Sequence, residues 1–389
     1  MKAQITVFII LGVLILAAFA VVIYVASSMT KSKTGPVDVL ETQTVQDYVT
    51  SCLESVSFEG IKLLGKQGGY LFKSQGGITA NANLSTLSYE GYDVAYDLAP
   101  PKGDFAYYYS DPPMYPYNRF PYISGNISFT GFYGMNRLPA LFKTPKKGIQ
   151  DSLEQYISEG MDECVDFSKF ASFKVTQRPK IVTVILAANK THFEGERFFS
   201  VLLDWPMNIT YSTGEKVELN NFAVKVPVRL ASIYYFANEM INQDISNINY
   251  EPHSAKGFDV SIDKLNKDSV VKISDPMSII ADSPFEFWYA RRNRAPALWY
   301  IDVGGLSSVY TGTKVSIHND VLKIEDICED EEYNFNLAAS DPDNDAVTFS
   351  LDKSGFASSP GPSSFTVYAK DGGSVDDYQV LSFNIIQCP

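Results

Sequence analysis

Histidine is scarce in this chain: three in 389 residues, His192, His253 and His318. None has a second histidine or a cysteine at ligand spacing. HExxH, CxxC, a Walker-type glycine loop and GxSxG are all missing. The common zinc, Ser-His and Cys-His chemistries therefore have no visible parts, and a non-enzymatic role is expected. Positive charge is also short, with 32 Lys and Arg against 45 Asp and Glu, a net charge of −13. Phosphate neutralisation needs basic patches, so nucleic acid is excluded as an expected partner. The one basic cluster is Arg291, Arg292 and Arg294. It suits either an anionic sugar, lipid head group or acidic neighbour, or internal salt bridges in an acidic protein. Finally, residues 3–30 carry no charged side chain at all.

That gap is what places the chain. Residues 5–26 are almost continuously apolar, and a helix of that length spans about 33 Å, enough for a bilayer core. Three readings fit. One is a secretory signal cut near Ala26-Ser27-Ser28. Another is an uncleaved anchor, with Lys31 and Lys33 just beyond it. For the third, Met1-Lys2-Ala3 followed by Gln4-Ile5-Thr6-Val7-Phe8 resembles the class III leader of archaeal type IV pilin-like proteins. That resemblance implies clipping between Ala3 and Gln4 and a helix that packs with its own copies. Phe8 stands where that family usually has Glu. Charge at the two ends of the segment is nearly balanced. The acidic body, an even count of four cysteines and four Asn-x-Ser/Thr sites (Asn83, Asn126, Asn189, Asn208) favour a body outside the cell. The expected location is a cell membrane crossed once, or an extracellular filament.

A short linker is expected around Thr34-Gly35-Pro36. Val45, Tyr48, Val49, Cys52, Leu53 and Val56 then recur at helical spacing, and Gly65, Gly68 and Gly69 end the helix. Leu153, Tyr156, Ile157, Met161 and Cys164 give a second helix near 150–164. Both apolar faces carry a cysteine. Cys52 and Cys164 either bond, if the helices pack together outside the cell, or stay buried as free thiols. Between them, residues 104–123 hold six tyrosines and four prolines, which excludes a regular helix or central strand. Tyr107, Tyr108, Tyr109, Tyr115, Tyr117 and Tyr122 offer a contact surface for glycan or protein, or simply cover the core.

From about 172 the period changes to two. Strands are expected at 173–175, 181–188, 198–203, 209–211, 217–219 and 222–228, with turns at Asn189-Lys190, Ser212-Thr213-Gly214 and Asn220-Asn221. Helical spacing returns over 230–241. The body is thus α+β, a meander sheet on helices. Val45-Gln46-Asp47-Tyr48, Leu63-Leu64-Gly65-Lys66-Gln67-Gly68-Gly69-Tyr70 and the 218–228 stretch resemble a group of uncharacterised membrane-anchored proteins of small archaea, over roughly residues 1–245. The resemblance implies an archaeal envelope protein and carries no activity.

Residues 296–389 read as a separate β-sandwich, with short strands at 299–303, 314–317, 321–324, 333–338, 346–351, 364–369 and 379–386. Ala338-Ala339-Ser340-Asp341-Pro342-Asp343-Asn344-Asp345 and Phe365-Thr366-Val367-Tyr368-Ala369-Lys370-Asp371-Gly372 resemble a cadherin-like or immunoglobulin-type repeat of surface adhesins. First and last strands are often neighbours in such sandwiches, so a Cys328–Cys388 bridge is expected. It closes a loop worth roughly 4 kcal/mol in the chain-entropy view. Asp341, Asp343 and Asp345, with Asp371 or the acidic run 329–332, offer oxygens for calcium. The other reading is an Asp-rich turn held by side-chain-to-backbone bonds.

The organisation expected is a hydrophobic helix (1–30), a linker (31–40), an α+β ectodomain (41–295) and a cadherin-like sandwich (296–389). The function expected is a non-enzymatic, membrane-anchored archaeal surface protein. It mediates adhesion or inter-subunit contacts, its partners being membrane lipid, other surface proteins, glycans or copies of itself. The alternatives are a subunit of a pilus-like filament and an envelope enzyme acting on glycans through a carboxylate pair. No cofactor is expected beyond the calcium alternative.

Overall fold

The computed structural model describes residues 36–389 apart from 81–83, 100–134, 143–147, 171–172, 187–196, 248–249, 295, 299–300, 304–307, 313–319, 330, 353–358 and 374–376. The apolar segment 1–30, Ala3, Gln4, Asn83, Asn126, Asn189 and all six tyrosines of 104–123 lie outside the described residues. Among the described residues, no helix is long and apolar enough to cross a membrane.

Helix α1 (Pro36–Lys66) starts earlier than the sequence pattern indicates. Residues 36–40, expected as linker, form its first turns. Proline suits the first helical position, where its missing N–H costs no bond. Val45, Val49, Cys52, Leu53, Val56, Ile61 and Leu64 make one buried stripe. The helix ends where Gly69 N donates to Leu64 O at 2.9 Å, with Gly68 and Gly69 at φ of +72° and +84°. Only glycine takes that conformation without strain.

The hairpin β1 (Thr86–Tyr89) and β2 (Tyr92–Ala99) follows, then β3 (Met135–Asn136) beside β2. Helix α2 (Ile149–Cys164) crosses α1 closely. Cβ atoms built on Gly60 and Gly160 would lie 2.7 Å from the Tyr156 ring and 2.5 Å from Val56. Cys52 and Cys164 join the two helices by a disulfide, and Tyr48 Oη donates to Cys164 O at 2.9 Å.

Strands β4 (Phe173–Gln177), β5 (Ile181–Ile185), β6 (Phe199–Tyr211) and β7 (Lys216–Val226) form an antiparallel sheet around β6. The sequence divides β6 into two pieces and β7 into two pieces. Each is one strand. A register shift between Asp204 and Met207 accommodates Pro206, and Asn221 pairs with Asp204 where a turn was expected. The bulge, not a chain reversal, absorbs the break in pattern. On the outer edge of β5, Gln150 Nε2 donates to Val184 O at 2.7 Å and Val184 N donates to Glu154 Oε1 at 3.0 Å.

Helix α3 (Leu230–Ser246) leads to β8 (Asp259–Leu265), β9 (Asp268–Ile280) and β10 (Ser283–Arg291). With β1 and β2 these complete a second sheet in the order β1-β2-β10-β9-β8, β10 running parallel to β2. This sheet has no counterpart in the sequence reading. The α+β class holds, but the body has two sheets around one core. On the second sheet's outer face Trp288 is buried under Tyr89 and Tyr92, with Lys66 Nζ 4.1 Å above its ring.

The C-terminal unit contains β11 (Ala297–Leu298), β12 (Asp302–Val303), β13 (Ser308–Gly312), β14 (Asp320–Ile324), β15 (Ile327–Cys328), β16 (Phe335–Asn336), β17 (Ala339–Ser340), β18 (Thr348–Leu351), β19 (Gly361–Lys370) and β20 (Asp377–Ile386). Its main sheet runs β13-β14-β20-β19-β18, with β15 parallel to β20. The pairs β11-β17 and β12-β16 stand apart from it, and Leu298 and Ile301 join Leu322, Val367, Leu381 and Phe383 in a separate core. The result is sandwich-like. Cys328 and Cys388 form its disulfide beside the β15–β20 pairing.

Candidate functional site

The most highly charged buried region lies where the C-terminal unit meets the body. It begins with the basic run after β10. Arg291 ends the strand facing inward, and its Nη1 meets Asp244 Oδ2 at 3.0 Å while Nε meets Asp343 Oδ1 at 3.3 Å. Arg294, three residues on, has no exposed surface. Its Nη2 donates to Asp244 Oδ1 at 2.9 Å, Asp343 Oδ1 at 2.8 Å and Pro342 O at 2.8 Å, and Nη1 donates to Asp244 O at 3.1 Å. Its backbone N–H donates to Asp343 Oδ2 at 2.7 Å. Two guanidiniums and two carboxylates thus cancel within a buried network. Asp244 sits in the last turn of α3, where the helix dipole disfavours a negative charge. The two arginines offset that cost.

The acidic turn of the C-terminal unit supplies the other half. Asp341 Oδ1 accepts from Asp343 N at 2.8 Å and Asp345 N at 3.0 Å, the side-chain-to-backbone turn that was one of the two sequence readings. Asp345 meets Lys264 Nζ at 3.2 Å and Lys267 Nζ at 3.5 Å. Asp371 Oδ2 accepts from Asn293 Nδ2 at 2.7 Å. The four aspartates considered as calcium ligands therefore face protein cations and amides. Among the described residues, no group of three or more His, Cys, Asp or Glu is arranged to hold a metal ion. Arg294 lies between Asp343 and Asp244, its Nη2 donating to a carboxylate oxygen of each. Arg291 and Arg294 likewise follow the salt-bridge reading of the basic run. Arg292 turns outward and stacks 4.2 Å over the Tyr96 ring.

A cavity of about 330 Å³ opens at this junction, lined by Tyr250, Glu251, Ile262, Lys264, Arg291 and Asp341, among others. Asp341 Oδ2 is buried without a hydrogen-bond partner. Burial pushes the Asp341 carboxyl up to about 6, the neighbouring charges of Asp343 and Asp371 push the same way, and the two backbone amides oppose them. The arrangement holds two units in one orientation.

The partner residues Asp244 and Asp343 were not singled out together by the sequence, because they lie 50 residues or so from the arginines on separate elements; the short acid-rich turn was the available signal. Asn208, a sequon site, is half-buried in β6 opposite Thr176 and Glu218, in a sheet rather than a loop.

No family model matches this chain, and no curated protein matches it. Among solved structures, the crystal structure of Drosophila N-cadherin EC1-4 aligns over 55% of this chain and 67% of that one, at 12% identity and a TM-score of 0.17. A similarity of that size carries no argument about fold or function.

Proposed function

We propose that this chain is a non-enzymatic protein of a cell envelope, tethered by its N-terminal apolar helix, whose body and C-terminal unit act outside the cell as a contact scaffold. The observation that carries this reading is the state of the cysteines. All four are in disulfides and no free cysteine remains. Such bonds persist in oxidising compartments and are rare in the cytosol. The uncharged 3–30 segment supplies a means of attachment. The buried Arg–Asp junction adds a mechanical element. It fixes the C-terminal unit at a defined angle to the body, which suits a protein that presents one surface to another cell, to a glycan or to copies of itself. The resemblances in the sequence point to an archaeal envelope and to a cadherin-like, adhesive C-terminal unit.

The test is protease treatment of intact source cells, followed by non-reducing electrophoresis and mass spectrometry of the native N-terminus. Fragments released without lysis, with bonded cysteines, are the expected result. An N-terminus at Gln4 together with fibres would shift the reading to a filament subunit. Full protection from protease, with four reduced thiols, would overturn it.

A further inference from the structure

Asp97 has no exposed surface, and among the described residues neither of its carboxyl oxygens has a hydrogen-bond partner. It lies on β2, its carbonyl accepting from Arg137 N at 2.8 Å. Its side chain presses on the turn that ends α1. A Cβ built on Gly68 would stand 2.6 Å from Asp97 Oδ2 and 3.0 Å from Ala95 Cβ. The glycine is what lets this turn close over the acid. The turn is also the carbonyl-rich, negative end of a 31-residue helix. A carboxylate at this place would lose its hydration and gain no donor, so the neutral acid is the form that fits.

Every titratable neighbour leaves that conclusion standing. From the turn, Tyr70 donates its hydroxyl to Arg137 O at 2.7 Å. Burial raises its own titration, and the Asp97 charge adds to this. From α3, Tyr234 is pushed up to about 12, chiefly by burial, with Tyr235 and then Asp97 among the charges that contribute. Arg137, beside β3, is lowered by burial first and by Arg292 next. The Gln67 amide is committed to Tyr70 O and to Gln75. Burial alone holds the Asp97 carboxyl well above the usual carboxylate range.

We propose that Asp97 is a proton-operated clasp: as the neutral acid it lets the 67–70 turn seat on β2, and on ionising it loosens that seat. The proposal is independent of the surface reading above. The acid takes up a proton on folding, so the folded state is favoured at low pH and weakens as pH rises from the ordinary carboxyl range through the raised value. The effect reaches the connection between α1 and the two-sheet core.

The test uses the full chain in detergent. The unfolding constant of the wild type should rise relative to Asp97→Asn by up to about tenfold per pH unit across the ionisation. Amide exchange at 68–70 should accelerate in step. In the wild-type minus Asp97→Asn infrared difference spectrum, a protonated carboxylic acid band should persist above the range in which ordinary carboxyls ionise. Parallel pH profiles for the two proteins would overturn the proposal. If Asp97→Asn does not fold, the wild-type band decides: its loss on alkaline titration together with faster exchange at 68–70 supports the clasp, and its loss within the ordinary carboxyl range, or with exchange at 68–70 unchanged, refutes it.

Discussion

Arg294 and Asp343 clasp each other from opposite units of the protein, with Nη2 to Oδ1 at 2.8 Å and the Arg294 backbone N–H to Oδ2 at 2.7 Å. Side chain and main chain of one residue grip the two oxygens of the other. This fixes orientation as well as distance, and it ties the 290s segment to the acidic turn some fifty positions later. A buried pair of this kind adds little net stability compared with apolar packing, but removing one member leaves a bare charge.

Arg294→Met should therefore cost about 3–5 kcal/mol at the junction, since Asp343 and Asp244 lose a shared guanidinium. Urea unfolding followed by proteolysis is expected to show the C-terminal unit releasing before the body. The double variant Arg294→Met/Asp343→Leu should recover part of the loss. A single variant as stable as the wild type would show that the junction is held by other contacts.

Asp341 gives the junction a pH dependence of its own. Burial is the main cause that pushes its carboxyl up to about 6, above the ordinary aspartate range. A raised acid binds a proton on folding, so stability is highest near and below the ordinary carboxyl value and falls as pH rises through about 6. The difference corresponds to at most about 3 kcal/mol. Asp341→Asn keeps the acceptor for the two backbone amides and removes the charge. Denaturation midpoints at pH 5 and pH 8 are expected to differ less in this variant than in the wild type, after allowance for Asp97.

Chelation should leave the junction intact. The acidic turn finds its positive charge in Arg291, Arg294, Lys264 and Lys267. Thermal unfolding in chelator and in millimolar calcium is expected to give the same midpoint. A calcium-dependent rise would mean that the ion displaces the protein's own cations.

Replacing Cys52 and Cys164 by serine opens a loop of 112 residues, which on the chain-entropy model costs roughly 4–5 kcal/mol. The loss should appear in the α1–α2 packing, and hydrogen exchange should rise in those helices first. The C-terminal core, with its own disulfide and its own apolar cluster, should keep its protection.

Much of this fold is legible where one physical signal dominates. The stripe from Val45 to Leu64 marks α1, and alternation marks the two ends of β6, at 198–203 and 209–211, but not the bulge that joins them. Cys52 and Cys164 stood out because both lie on apolar helix faces. Failure occurs where buried polar groups break the pattern. In β2, Asp97 interrupts an otherwise apolar inner face. In β9, Asp275 is buried with Arg229, Ser278 and the Met277 amide as its partners, a charge inside a mostly apolar strand. The basic run at 291–294 was visible, but its carboxylate partners were not. They come together only once α3 and the acidic turn are folded.

The side chains of Gln150 and Glu154 take the outward N–H and C=O of Val184 on the border strand of the four-stranded sheet. A strand finished in this way offers an incoming chain no free ladder there. Fibre growth by sheet extension is blocked at that point, so lateral association on this side must rely on side-chain surfaces, which are easier to make selective.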